Sequence, residues 1–121
     1  MSDNNLDECC AIAEGLDEDD YKYRMAAIIC DSRGNVLSRG TNSYTKTHPL
    51  QANYATKCFE GGRIFRHAEI HAISRLGRDA SPKRIYIGRV NRNGTRGLAK
   101  PCRICEKAIK EAGITEVCYT V

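Results

Sequence analysis

The chain has 121 residues, 41% hydrophobic and 28% charged, with a formal net charge of +4, which is enough to bury one core and not two. No run of about 18 apolar residues occurs, so no membrane-spanning segment is expected, and the acidic start "MSDNNLDECC" is unlike the basic head of a signal or transit peptide. Seven cysteines, an odd number, read as buried thiols plus a metal site in a reducing cytoplasm rather than as a disulfide framework.

A single domain over residues 1–121, located in the cytoplasm, is therefore expected. Its charge is uneven. Residues 1–20 hold eight acids and no base, which leaves nineteen Lys/Arg against seven acids in the other 101 residues. Residues 83–110 alone hold nine Lys/Arg against Glu106. A basic body favours anionic ligands, meaning nucleotides or a nucleic-acid backbone.

In chain order, "LDECCAIAEGL" (6–16) places Leu6, Cys9, Cys10, Ala13 and Leu16 on one helical face. "YRMAAIICD" (23–31), the turn "SRGN" and "VLSRGTN" together predict a β-hairpin. Residues 43–65 mix Pro, Gly and polar residues and read as a long loop with a helical turn around 50–57. A helix over 67–77 ends at Gly77, "RIYIGRV" (84–90) is a strand, and "NRNGTRGLAK" (91–100) reads as a polar loop. A third helix over 102–112 stops at Gly113, and "EVCYTV" closes as a strand. The order predicts an α/β, three-layer α-β-α fold, with a mixed sheet of four or five strands and helices on both faces.

The chemistry concentrates in "RHAEIHAI" and "KPCRIC". Cys102 and Cys105 stand three apart at a helix start, so both sulfurs fall on one face where the helix dipole favours thiolates. Pro101 suits that start because the N–H it lacks would be unpaired there anyway. His67 and Glu69 sit in the first turn of the preceding helix, from which both can reach a point beyond its end. His67, Cys102 and Cys105 make three ligands for zinc, and three ligands with an open fourth position form a catalytic arrangement rather than a closed structural one. Glu69 is then spare, a carboxylate beside the metal's water. His71 shares a face with His67 and is the one sharp candidate for a fourth ligand. Ala68, however, stands where the H-E-x-x-H pattern has its Glu, so His71 reads as a packing or rim residue.

"HAE" followed by "PCRIC" is similar to the H-x-E…P-C-x-x-C signature of the cytidine and deoxycytidylate deaminases. The resemblance covers about residues 21–120, including "GNVLSRGTN" and "KAIKEAGITEVCYT". It implies a cytidine deaminase-like fold, a Zn²⁺ cofactor and hydrolytic conversion of cytosine to uracil and ammonia. Glu69 would move protons from water to the ring and then to the departing amine. The resemblance also implies a backbone contact from Ala68 to the pyrimidine carbonyl and a hydrogen bond from Asn42 to sugar or base. His48 would lie near the sugar or phosphate, and Arg66 and Arg63 near an anionic group. Cys9, Cys10, Cys30, Cys58 and Cys118 lie in apolar stretches and are expected to be buried.

Two departures stand out. The loop 91–100 replaces the short approach to Pro-Cys of most family members, and the sequence stops at Val121 where members continue into a fifth strand and a helix. The second departure predicts an exposed sheet edge and a homo-oligomer that covers it. The expected substrate is a small pyrimidine nucleotide or nucleoside, with deoxycytidylate favoured. The alternatives are a deaminase acting on a polynucleotide (cytosine in single-stranded DNA or adenosine in tRNA) and a non-catalytic zinc-stabilised nucleotide or nucleic-acid binding module.

Overall fold

The computed structural model describes residues 2–16, 23–57 and 65–121. Its elements run α1 (Ser2–Glu14), β1 (Tyr23–Cys30), β2 (Val36–Thr41), α2 (Pro49–Lys57), α3 (Ala68–Ser74), β3 (Arg84–Asn91), β4 (Arg96–Gly97), α4 (Arg103–Glu111) and β5 (Glu116–Tyr119). None of these helices is long and apolar enough to cross a membrane. Cys58 and Arg63 lie outside the described residues.

β1 is the central strand, with an apolar run that keeps Ala26 to Cys30 buried on both faces. It pairs antiparallel with β2 on one side and β3 on the other. The β1–β2 turn follows the sequence: Asp31 accepts the backbone N–H groups of Arg33 and Asn35, each at 2.9 Å, and Gly34 takes the positive φ of 88° that the reversal needs.

Beyond β3 the sheet forks. The start of β3 pairs parallel with β5, while Arg89 and Val90 pair antiparallel with β4. Thr120 fills the fork: its hydroxyl accepts the Arg89 N–H at 3.1 Å and donates to the Gly97 carbonyl at 2.7 Å. The polar loop expected over 91–100 is thus a hairpin bearing a strand of two residues. That strand is too short for alternation to reveal.

Alternation sorts the core into layers. Ala26, Ile28, Tyr86 and Val90 pack against Cys9, Cys10 and Ala13 of α1 on one face. Ala27, Ile29, Ile85 and Ile87 pack on the other against Ala68 and Ala72 of α3 and Ile109 of α4. A further cluster joins α2, α3 and α4 through Tyr54, Ala55, Ile70, Ile104 and Ala108. Arg24, 3% exposed, closes α1 by donating to the Glu14 carbonyl at 3.0 Å, a favourable place for a cation at a helix C-terminus. Cys9, Cys10 and Cys30 are buried as expected, whereas Cys118 is only partly so.

The contact that positions the start of α3 is its seam with β2. Ser38 donates its hydroxyl to the Ala72 carbonyl at 2.8 Å, and the Thr41 N–H donates to His71 Nδ1 at 3.0 Å. Between them lies Gly40, where a Cβ would fall 2.3 Å from the Ala72 nitrogen and 2.6 Å from the Ala68 carbonyl oxygen. His71 is therefore a packing residue that accepts a sheet-edge N–H, and its basicity falls to about 4, chiefly because it is buried and secondarily because Arg66 and Arg75 are near.

Gly40→Ala is expected to cost about 2–3 kcal/mol of unfolding free energy in urea, because backbone on both sides must move apart. His71 binds a proton more readily in the unfolded chain, with its ordinary value of 6.5, than in the folded one, so its contribution is complete above pH 6.5 and is lost as pH falls toward 4. His71→Asn keeps an acceptor for Thr41 and removes the titration. Melting curves across that range should be flatter for the variant than for the wild type.

Candidate functional site

Two helix starts converge on one point. His67 precedes α3 and Cys102 precedes α4, both in extended conformation (φ −88°, ψ 156° and φ −72°, ψ 173°), and neither side chain caps its own helix. Each backbone carbonyl begins its helix instead, accepting from His71 and from Glu106 at 3.0 and 2.8 Å. The imidazole and the thiol meet instead between the two helix starts, in the lining of a cavity. Cys105, in the first turn of α4 and fully buried, completes the group. Gln51 of α2, also fully buried, anchors the approach by accepting the His67 N–H at 3.2 Å.

His67 Nδ1 lies 3.2 Å from the Cys105 sulfur and 3.6 Å from the Cys102 sulfur. All three ligand atoms lie within 4.8 Å of one another. A tetrahedral zinc bonded at about 2.3 Å to sulfur and about 2.0 Å to nitrogen sets such atoms about 3.5 Å apart, so the three residues fit that ion. Among the described residues no fourth Cys, His, Asp or Glu joins them. His71, the candidate for that place, is committed to Thr41.

Charge is shared unequally between the sulfurs. A hydrogen bond from Cys105 draws the Cys102 thiol down to about 3, with His67 adding to the effect, while Cys105 is pushed well above its ordinary value by the same bond and by burial. One thiolate and one thiol therefore stand ready, and binding a divalent metal displaces the remaining proton. Glu69, 3% exposed, lies against Cys105, and its carboxyl is raised first by burial, with its own backbone N–H and His67 opposing.

The open side of this group faces a cavity of about 400 Å³. His67, Cys102 and Glu69 are part of its lining. The walls come from one end of the sheet: Tyr23 and Met25 of β1, Asn42, Ser43 and Tyr44 after β2, Arg89 of β3, and Leu98 and Lys100 before α4. Arg66 and Phe65 border it from the approach to α3.

Of the sequence-derived residues, the structure brings His67, Glu69, Cys102, Cys105, Asn42 and Arg66 together at this cavity. Ala68 is buried at the first position of α3 beside them. Asn42 turns its amide to the sheet, accepting the Met25 N–H at 2.9 Å and donating to the Tyr23 carbonyl at 3.3 Å. Arg66 donates to the carbonyl and hydroxyl of Thr41 at 3.1 and 3.3 Å. His48 does not line the cavity: its Nδ1 accepts the Leu50 N–H at 3.0 Å and so caps α2. That role suits a residue placed just before a proline that opens a helix.

Sequence reasoning missed Arg89, Tyr23 and Gln51. The first two carried a signal, since alternation along β3 and β1 puts Arg89 on the side of Ile85 and Ile87, and Tyr23 on that of Ala27 and Ile29. Gln51 carried none, because the contact depends on how α2 folds back.

Zinc titrated into metal-free protein is expected to bind at one per chain and to release about one proton near neutral pH, readable in weakly buffered solution. Cys105→Ser should weaken binding by more than roughly 100-fold, beyond the loss typical of a merely supporting partner.

Comparison with known proteins agrees with the geometry. A profile of the cytidine and deoxycytidylate deaminase zinc-binding region matches residues 2–121. No curated protein sequence matches the chain. Among solved structures, a Glu-to-Gln mutant of cytidine deaminase from Mycobacterium tuberculosis is similar, with a TM-score of 0.59 at 16% identity over 98% of this chain and 84% of that one. At that identity the likeness concerns the fold, a mixed sheet of five strands with four helices. With the zinc-binding region matched across nearly its whole length, the chain belongs to the cytidine and deoxycytidylate deaminase family.

Proposed function

We propose that the chain hydrolytically deaminates the cytosine base of a free pyrimidine nucleotide, with deoxycytidylate favoured, giving uracil and ammonia. One observation carries this reading. Glu69 is a buried carboxyl beside a three-ligand metal site, in the lining of a cavity that also holds Arg66, Arg89 and Lys100. A cavity of about 400 Å³ falls in the range of small-molecule sites, about 300–1,000 Å³. A module that only bound nucleotides would gain nothing from a carboxyl kept dry with no Lys or Arg among the described residues paired to it.

Zinc held by His67, Cys102 and Cys105 supplies a Lewis acid that makes water nucleophilic at neutral pH. Because the two thiolates cancel a divalent charge, that activation is modest, and Glu69 is assigned the role of base. Glu69 takes one proton from water and delivers it to ring N3, which leaves C4 electron-poor. As the C4–O bond forms, Glu69 takes the second proton and passes it to the exocyclic amine. The C4–N bond then breaks, ammonia departs, and the ring keeps the proton on N3. Burial, which raises Glu69, suits a group that must both hold and release a proton near neutral pH. The backbone N–H of Ala68 is assigned to the pyrimidine carbonyl and Arg66 to the sugar side, while Asn42, whose amide is committed to β1, shapes the wall beside them.

Glu69→Gln is expected to keep one zinc per chain while ammonia release falls about 10²- to 10⁴-fold. The wild type should release ammonia from dCMP ahead of CMP, deoxycytidine, cytidine and a short single-stranded oligonucleotide. Activity retained in the variant, or none on any substrate with zinc fully bound, overturns the reading.

A further inference from the structure

The cavity wall contributed by the β3–β4 hairpin points to a role for the segment in which this sequence departs from its family. We propose that Arg89 and Lys100 form the subsite that holds the substrate's 5′-phosphate and so select a nucleotide over a nucleoside; this rests on the deaminase reading above.

Arg89 is held in place from three sides. Its guanidinium lies 4.2 Å from the centre of the Tyr23 ring, which in turn meets Tyr44 edge-on at 6.0 Å. Its Nε donates to Asn91 Oδ1 at 3.1 Å, and Nη1 reaches the Leu98 carbonyl at 3.5 Å. Gly97, its partner across the hairpin, gives it room. A Cβ there would fall 2.7 Å from Asn91 Oδ1 and 3.0 Å from Arg89 Nε.

A guanidinium placed over the ring keeps its N–H groups for hydrogen bonding, and with Nε and Nη1 engaged by Asn91 and Leu98 it is Nη2 that remains for a ligand. Among the described residues none accepts from Nη2, and no carboxylate pairs with Arg89 or with Lys100. Lys100 is exposed and borders the same cavity two residues before Cys102. Among the described residues the only carboxylate lining the cavity is Glu69, which is buried beside the metal ligands. The cavity lining thus carries a fixed guanidinium and an exposed ammonium, which together match the charge of a phosphate monoester. A neutral nucleoside offers neither cation a partner.

The test measures kcat/KM of zinc-loaded protein for dCMP and for deoxycytidine. In Arg89→Met the ratio of the two should fall about 10- to 100-fold. Lys100→Met, which alters an exposed side chain with no partner among the described residues, should lower the ratio in the same direction. A second readout needs no turnover: calorimetry of zinc-loaded protein with dUMP and deoxyuridine, where wild type should bind dUMP at least about tenfold tighter and both variants should lose that margin. An unchanged ratio, equal loss on nucleotide and nucleoside, or a preference for a short oligonucleotide over dCMP would overturn the proposal. If no cytosine substrate is turned over, the deaminase reading fails by itself, and the dUMP margin still decides the subsite.

Discussion

The site depends on how closely α3 can approach β2. Side chains ordinarily separate packed elements, yet at Gly40 there is room for none, and the helix backbone rests directly on the strand. Ser38 and Thr41 on either side turn this contact into a fixed register by hydrogen bonding to Ala72 and His71. The start of α3, and with it His67 and Glu69, is thereby set at one height above the sheet. A looser helix would leave three ligand atoms unable to stay within 4.8 Å of one another. Precision at the metal is inherited from a backbone contact one to two helical turns away.

That rigidity makes the burial of Glu69 intelligible. A dry carboxyl next to two sulfurs is costly, since burial and neighbouring negative charge both oppose ionisation. No Lys or Arg among the described residues pairs with it, so it balances no buried cation. The helix start offers partial relief through Glu69's own N–H and His67. A carboxyl kept at such expense in a cavity lining is consistent with the proton-transfer role proposed for it.

The sequence revealed the candidate metal ligands and Glu69 better than their surroundings, for a physical reason. Residues that chelate or transfer protons near one helix end must be close in sequence, so "HAE" and "PCRIC" exposed the triad and Glu69 directly. The strands were legible for a similar reason, as their alternation is local. Gln51, which holds the His67 N–H, and Thr120, which fills the fork beside β3, act through contacts sixteen and thirty-one residues away in the chain. His48 resembles a ligand-side histidine and is a helix cap, because a single ring nitrogen serves either purpose and only the backbone decides which. Asn42 borders the cavity, yet its amide holds the start of β1. The hairpin over 91–100 leaves no periodic signal, since β4 has only two residues.

The same hairpin ties the proposed phosphate subsite to the geometry of the metal ligands. The Thr120 hydroxyl supplies the Arg89 N–H with the acceptor that neither β4 nor β5 provides, and its carbonyl accepts the Ala99 N–H at 2.9 Å. Arg89, Leu98, Lys100 and Cys102 are therefore carried along one braced strut, from the outer wall of the cavity to the first sulfur. Moving the strut would also move Cys102 relative to His67, whose Nδ1 lies 3.6 Å from its sulfur. Selectivity can be adjusted more readily through side chains that end in the cavity, such as Lys100, than through the path of the hairpin. A polar, glycine-bearing stretch with the composition of a slack connection is a structural member under constraint at both ends.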